Sequence, residues 1–295
     1  MPLAPPLVVD GHLAVDVRVS GGPALTLARP DLLEAMARIG GLAPNAQPTA
    51  AAVIEARIDG PEGLGDEGYA ISRTAGGLLI SAHTEIGAAY GLWTIAADLG
   101  VVYLHPEETF FPRRPDARLP SWYDGHAVVP SFARRGFHEH TEHPIPMSDY
   151  LLRPGVSGFR DGASHELRWL ARNRQNTLTF HLLKTVDLAT WTPWARDIVN
   201  EARGLGVRLG VVVSFADQQQ NAFKLITDPT TDVAPQIRAG LDAALAPGFD
   251  LVGVQTGSPT RARSSRSTEP ARHGPPPRRA GASPSAATRA TSSAT

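Results

Sequence analysis

The stretch SHELRWLARNRQNTLTFHLLKTVDLATWTPWARDIVNEARGLGVRLGVVVSF, residues 164–215, decides the fold. Ser164 can cap a helix that reaches Arg174, and Asn176 to Leu182 is then a short strand. Thr192 is placed to cap the next helix, with Pro193 at its first position, where a missing N–H costs nothing. Trp194, Ile198, Ala202 and Leu205 recur at helical spacing and form its apolar face. Val207 to Phe215 is a nearly unbroken apolar run, as expected of a strand buried on both faces. Strand, helix, strand in this rhythm is the mark of parallel βα units.

The rhythm extends both ways. Phe132 to His138 is a strand, followed by a long loop through Pro144, Pro146 and Pro154. Downstream, Val233, Ile237, Leu241 and Leu245 mark a helix, and Asp250 to Val254 a fourth strand. Four parallel strands with three helices between them suit a doubly wound sheet or the start of a (β/α)₈ barrel, and a complete barrel needs about 250 residues.

Before Pro130 the pattern differs. Residues 7–18 form a strand, Asp31 to Ile39 a short helix stopped by Gly40-Gly41, and Val53 to Ile58 a second strand. Tyr69 to Arg73 and Leu78 to Ser81 make a hairpin around Ala75-Gly76-Gly77. Thr84 to Leu99 is a helix carrying Ile86, Tyr90, Trp93 and Ala97 on one stripe, capped by Thr84 and closed by Gly100. Val101 to Leu104 returns as a strand. The order predicts an antiparallel sheet with two helices on one face, and prolines 106, 112, 115, 120 and 130 predict an extended linker.

From Ser258 to Thr295 the chain holds no Val, Ile, Leu, Met, Phe, Trp or Tyr. Such a segment cannot offset chain entropy by burial, so disorder is expected. It is either a natural basic arm or an out-of-frame reading of GC-rich DNA, a composition suggested by 26 arginines against two lysines. The formal net charge of −1 hides this arm. Without its seven Arg and one Glu, residues 1–257 carry 21 basic and 28 acidic groups, a charge of −7. That acidity argues against nucleic-acid binding by the body.

The expected fold class is α/β: a small α+β sandwich domain over residues 1–128, an incomplete (β/α)₈ barrel over 129–257, and a disordered tail over 258–295. The absence of cysteine excludes disulfides, thiolate metal sites and a cysteine nucleophile. No cofactor loop is present, because neither a GxGxxG after a strand nor a GxxxxGK[ST] occurs. The amino-terminus MPLAPPLVVD has no secretory pattern and no apolar run spans a membrane, so a cytoplasmic location is expected.

At residues 67–136, EGYAI, then GGLLISAHTEIGAAYGLWTIAADLGVVYLHP, then PSFARRGF resembles the non-catalytic domain and barrel entry of α-glucuronidases and bacterial β-hexosaminidases. The Gly87-Ala88-Ala89-Tyr90-Gly91 segment and Arg135-Gly136 carry most of the likeness, which covers about residues 1–257. It implies a glycoside hydrolase-like protein with a carbohydrate substrate. In those families the acid lies at or just after the fourth barrel strand. Here that strand ends Val254-Gln255-Thr256-Gly257, and no acid follows until Glu269. No catalytic carboxylate is therefore assigned, and the chain is expected to be a truncated, inactive relative. A non-catalytic carbohydrate-binding module and a basic-tailed interaction protein are the alternatives.

Barrel enzymes work at the carboxyl ends of their strands. That rule makes His138, Glu139, His140 and His143 after the first strand, His181 after the second, and Asp217 after the third the candidate substrate contacts. His138 and His140 share a side of the strand. With His143 they could hold a divalent metal, but an exposed polar loop or a sugar-binding loop fits them better, and no metal is assigned. Lys184 and Gln218 lie beside these positions. Arg134 and Arg135 read chiefly as structural ion-pair partners. Trp122 and Trp169 could stack on a sugar ring, whereas Trp93 belongs to the core. A half-built barrel leaves an open apolar edge, which predicts self-association.

Overall fold

The computed structural model describes residues 4–141, 146–216 and 221–256. His143, Asp217, Gln218 and the whole 258–295 tail lie outside the described residues.

The first layer is a six-stranded sheet. β1 (Val8–Val9) and β2 (His12–Arg18) turn at Asp10-Gly11, both at positive φ. Helix α1 (Pro23–Ile39) then crosses to β3 (Pro48–Arg57), which pairs parallel to β2. A hairpin of β4 (Tyr69–Thr74) and β5 (Gly77–Ala82) follows, with β5 parallel to β3. Helix α2 (Glu85–Asp98) leads to a separate ribbon of β6 (Val102–His105) and β7 (Glu108–Phe110), and β8 (Asp124–Val128) returns to pair with β4. The order is β1-β2-β3-β5-β4-β8. The expectation of an antiparallel sheet is therefore corrected: the sheet is mixed, because a helical crossover between consecutive strands delivers them parallel. The sequence from 106 to 130 is also more than a linker, since its last turn adds the edge strand β8.

α1 begins earlier than Asp31 and runs through Pro30. Leu25, Ala28, Leu32, Met36 and Ile39 are all buried on it, and that stripe outweighs one missing backbone bond. On α2, Thr84 caps the start by accepting from the Gly87 amide, as its sequence predicts. Gly87 and Gly91 let the helix sit against the sheet: a Cβ at Gly87 would fall 2.3 Å from the Gly68 carbonyl oxygen, and one at Gly91 2.6 Å from Ile80 Cγ2.

The second layer is a four-stranded, all-parallel sheet of β9 (Gly136–Glu139), β10 (Thr177–His181), β11 (Arg208–Ser214) and β12 (Leu251–Gln255). Its spatial order follows the chain, β9-β10-β11-β12. The intervening helices are α3 (Pro146–Leu152) and α4 (Phe159–Arg172), then α5 (Leu188–Gly204), then α6 (Val233–Leu245). α3 lies in what reads in sequence as loop. α5 starts four residues before Thr192, capped by Asp187 instead, so Pro193 sits inside the helix. α4 and α5 cover the face bearing Phe137 and Phe180: Phe137 stacks on Trp169, and Trp191 and Phe180 both meet Phe249.

Polar side chains join the two sheets within one apolar core. Asp31 of α1 takes a bidentate ion pair from Arg172 of α4 at 2.7 and 2.8 Å and the Trp93 indole N–H at 2.9 Å. Arg135 pairs with Glu67 at 2.7 Å, and Asn176 donates to the same carboxylate at 2.6 Å. Trp169 and Asn173 both donate to the Tyr103 carbonyl.

Candidate functional site

The parallel sheet brings four polar side chains together on the face away from α4 and α5, at the carboxyl ends of its strands. Alternation along the strands puts His138 level with Thr179 and His181 level with Val212, all on one side. His138 Nδ1 lies 2.9 Å from Thr179 Oγ1, and its Nε2 lies 2.9 Å from His181 Nε2. Gln255, at the end of β12, places Nε2 3.3 Å from the same His181 nitrogen. The His140 ring centroid is 5.3 Å from that of His181. Thr141 donates to the His181 carbonyl at 2.5 Å and ties the loop after β9 to β10.

Of the predicted contacts, His138, His140 and His181 therefore converge, while Glu139 turns the other way. It is 8% exposed and faces Glu166 of α4, itself 1% exposed. Arg135 is held by Glu67 and by the Arg174 and Phe132 carbonyls, a structural role. Trp169 is pinned by Tyr103 and Phe137, whereas Trp122 stays largely exposed beside Tyr123. Lys184 is exposed at the turn after β10.

Thr179, Gln255 and Glu166 have no place among the sequence candidates. Thr179 stands two residues before His181 and so shares its face, which makes it accessible to the alternation rule. Glu166 interrupts the buried stripe of Ala163, Leu167 and Leu170, a local charge on an apolar face that marks a buried partner.

Two titrations describe this region. His181 is pushed down to about 4 by burial and by the neighbouring His138 and His140. It is a neutral imidazole at neutral pH, able to donate or accept toward a hydroxyl. Glu166 is raised well above the usual carboxylate range by burial, by its hydrogen bond to Glu139 and by that group's negative charge. The signs of their effects on stability oppose each other. His181 leaves stability intact above 6.5 and withdraws it as pH falls toward 4. Glu166 contributes fully below 4.5 and is lost as pH rises through its elevated folded value. Between pH 4.5 and 6.5, His181→Gln is expected to tilt the stability-versus-pH slope negative relative to the parent, and Glu166→Gln to tilt it positive. Thermal unfolding across that window checks both signs; equal slopes in all three proteins would refute the assignment.

A cleft of about 540 Å³ lies at the opposite end of the sheet, lined by Glu67, Ile86, Phe132, Arg203, Gly206 and Arg208. It is remote from the histidines. Among the described residues no cluster of three or more His, Asp or Glu is arranged to hold a metal ion, and no helix is long and apolar enough to cross a membrane.

The sequence matches no protein-family profile and no curated protein. Solved structures do share its fold. A GH138 enzyme targeting pectin rhamnogalacturonan II superposes with a TM-score of 0.52 at 15% identity, over 82% of this chain and 38% of that one. A family GH115 4-O-methyl-α-glucuronidase, with specificity for decorated arabinogalactans, gives 0.52 at 14% identity, over 82% and 41%. The chitobiase of Flavobacterium johnsoniae gives 0.49 at 16% identity, over 86% and 42%. The chain spans about two fifths of the length of these proteins, and its fold resembles that of the GH138 and GH115 glycoside hydrolases.

Proposed function

We propose that this protein binds carbohydrate at the carboxyl ends of β9, β10 and β12 and does not hydrolyse it. The supporting observation is the convergence of His138, Thr179, His181 and Gln255, hydrogen-bond donors and acceptors of the kind that hydroxyl groups need. In this reading residues 1–128 are a non-catalytic α/β domain, and the four βα units of 129–257 are the first half of a (β/α)₈ barrel. Their strict sequential order supports a barrel over a doubly wound sheet, because it has no reversal point and keeps right-handed crossovers on one face. Glycoside hydrolysis needs a general acid and a second carboxylate or a substrate group in its place. Among the described strand residues that face His138 there is no carboxylate, since Glu139 turns toward Glu166. Residues 258–295 lack the apolar residues a buried strand requires.

Calorimetric titration with plant and bacterial oligosaccharides is expected to show binding that His181→Ala weakens by about tenfold, roughly the loss of one net hydrogen bond. Aryl glycosides are expected to remain intact under the same conditions. Turnover that survives purification to homogeneity would overturn the inactivity, and the absence of binding to any saccharide would overturn the function.

A further inference from the structure

The parallel sheet has two open ends. Among the described residues β9 pairs only with β10, and β12 only with β11. Parallel sheets are normally buried on both faces and rarely leave such edges bare, because unpaired N–H and C=O groups are a template for another strand. Both edges carry exposed apolar side chains: Phe137 on β9 at 49%, and Val252 and Val254 on β12 at 48% and 42%. Something of apolar, strand-forming character fits there. Residues 258–295 do not have that character, because they contain no Val, Ile, Leu, Met, Phe, Trp or Tyr.

We propose that the occupant is a second copy of this chain, and that two copies close one eight-stranded parallel ring. A two-fold axis along the strands sets β12 of each copy beside β9 of the other, so both seams form at once and no edge is left. Four strands from each copy supply the eight that a ring of this kind requires. The register follows from ring geometry. Glu139, Phe180, Val211 and Val252 stand level across the four strands. In an eight-stranded ring with a shear of about eight, the right-handed coil of the strands lowers that row by roughly four residues per half turn. Val252 then falls beside Arg135 of the other copy, and Val254 beside its Phe137. The prediction brings an exposed valine against an exposed phenylalanine at each seam. It also gathers both copies of His138, Thr179, His181 and Gln255 at one mouth, so each copy contributes to a shared site. The inference rests on reading the four βα units as half of a barrel.

Sedimentation of the full chain is expected to give one species at twice the 31.4 kDa chain mass, with no larger series. The chain has no native cysteine, so engineered thiols report the seam directly. Phe137→Cys and Val254→Cys, each melting like the parent, are mixed and oxidised. The mixture is expected to form a disulfide-linked dimer, while neither variant links to itself, because identical sites lie across the ring from one another. A monomer at every concentration, an open-ended ladder of oligomers, or a Val254→Cys homodimer would each overturn the ring. Carbohydrate binding by a chain that sediments as a monomer would overturn the ring while leaving the proposed function standing.

Discussion

Asp31→Ala is expected to destabilise the fold by about 3 kcal/mol, the lower end of the cost of breaking a buried ion pair from one side. Asp31 receives both nitrogens of the Arg172 fork and the indole N–H of the fully buried Trp93. Its removal leaves a guanidinium with the face of Tyr103, 5.6 Å away, and the nearby charge of Glu34, and a buried indole donor with no acceptor. Arg172 lies on α4 and Trp93 on α2, so the loss falls on the joint between the two sheets. Asp31→Asn keeps an acceptor for Trp93 and is expected to lose less. Urea unfolding measures both, and an alanine variant within 0.5 kcal/mol of the parent, the ordinary range for surface changes, would contradict this account of the joint.

Gly136→Ala is expected to be among the worst tolerated alanine substitutions at a strand glycine. A Cβ there would lie 1.7 Å from the Thr177 carbonyl oxygen and 2.6 Å from its carbon. Both obstacles are backbone, so no side-chain rotation relieves them, and β9 must part from β10. The expected cost is several kcal/mol, roughly 3–5, with release of the His138–His181 contact. Gly63→Ala, which meets nothing within 4 Å, is the control and is expected to be near neutral. Equilibrium unfolding together with histidine side-chain NMR reads both consequences. Equal stability of the two variants would refute the close approach.

The same residue explains part of what the sequence revealed. Arg135-Gly136 stands out as a motif, and the structure gives each half a reason: Arg135 grips Glu67, and Gly136 permits the first parallel pairing. The parallel layer was legible because its strands are continuous apolar runs and its helices carry clean stripes, as in 198–202 and 207–215. The first layer was less so. In α1 only the part from Asp31 is legible, because Pro30 looks like a helix boundary, although the helix runs on through it. The expected antiparallel sheet is mixed because strand direction, as in the parallel β2–β3 pair, depends on the crossover and not on the composition of either strand. β8 is not legible in the sequence because its five residues, DGHAV, are all exposed and carry no apolar alternation. At the site, the alternation of His138 and His140 was visible, and so was His181 at the end of its strand. The outward turn of Glu139 follows from that alternation too, but its purpose depends on Glu166, 27 positions away on a helix, and no local pattern connects them.

The central claim is that a carbohydrate sits on the histidine cluster. Its most direct test follows the imidazole resonances of His138, His140 and His181 by NMR while an oligosaccharide that binds in calorimetry is titrated into the protein. Shifts confined to those three among the ten histidines, saturating with the calorimetric affinity, are the predicted result. Binding that leaves all three unmoved and perturbs residues elsewhere would contradict it.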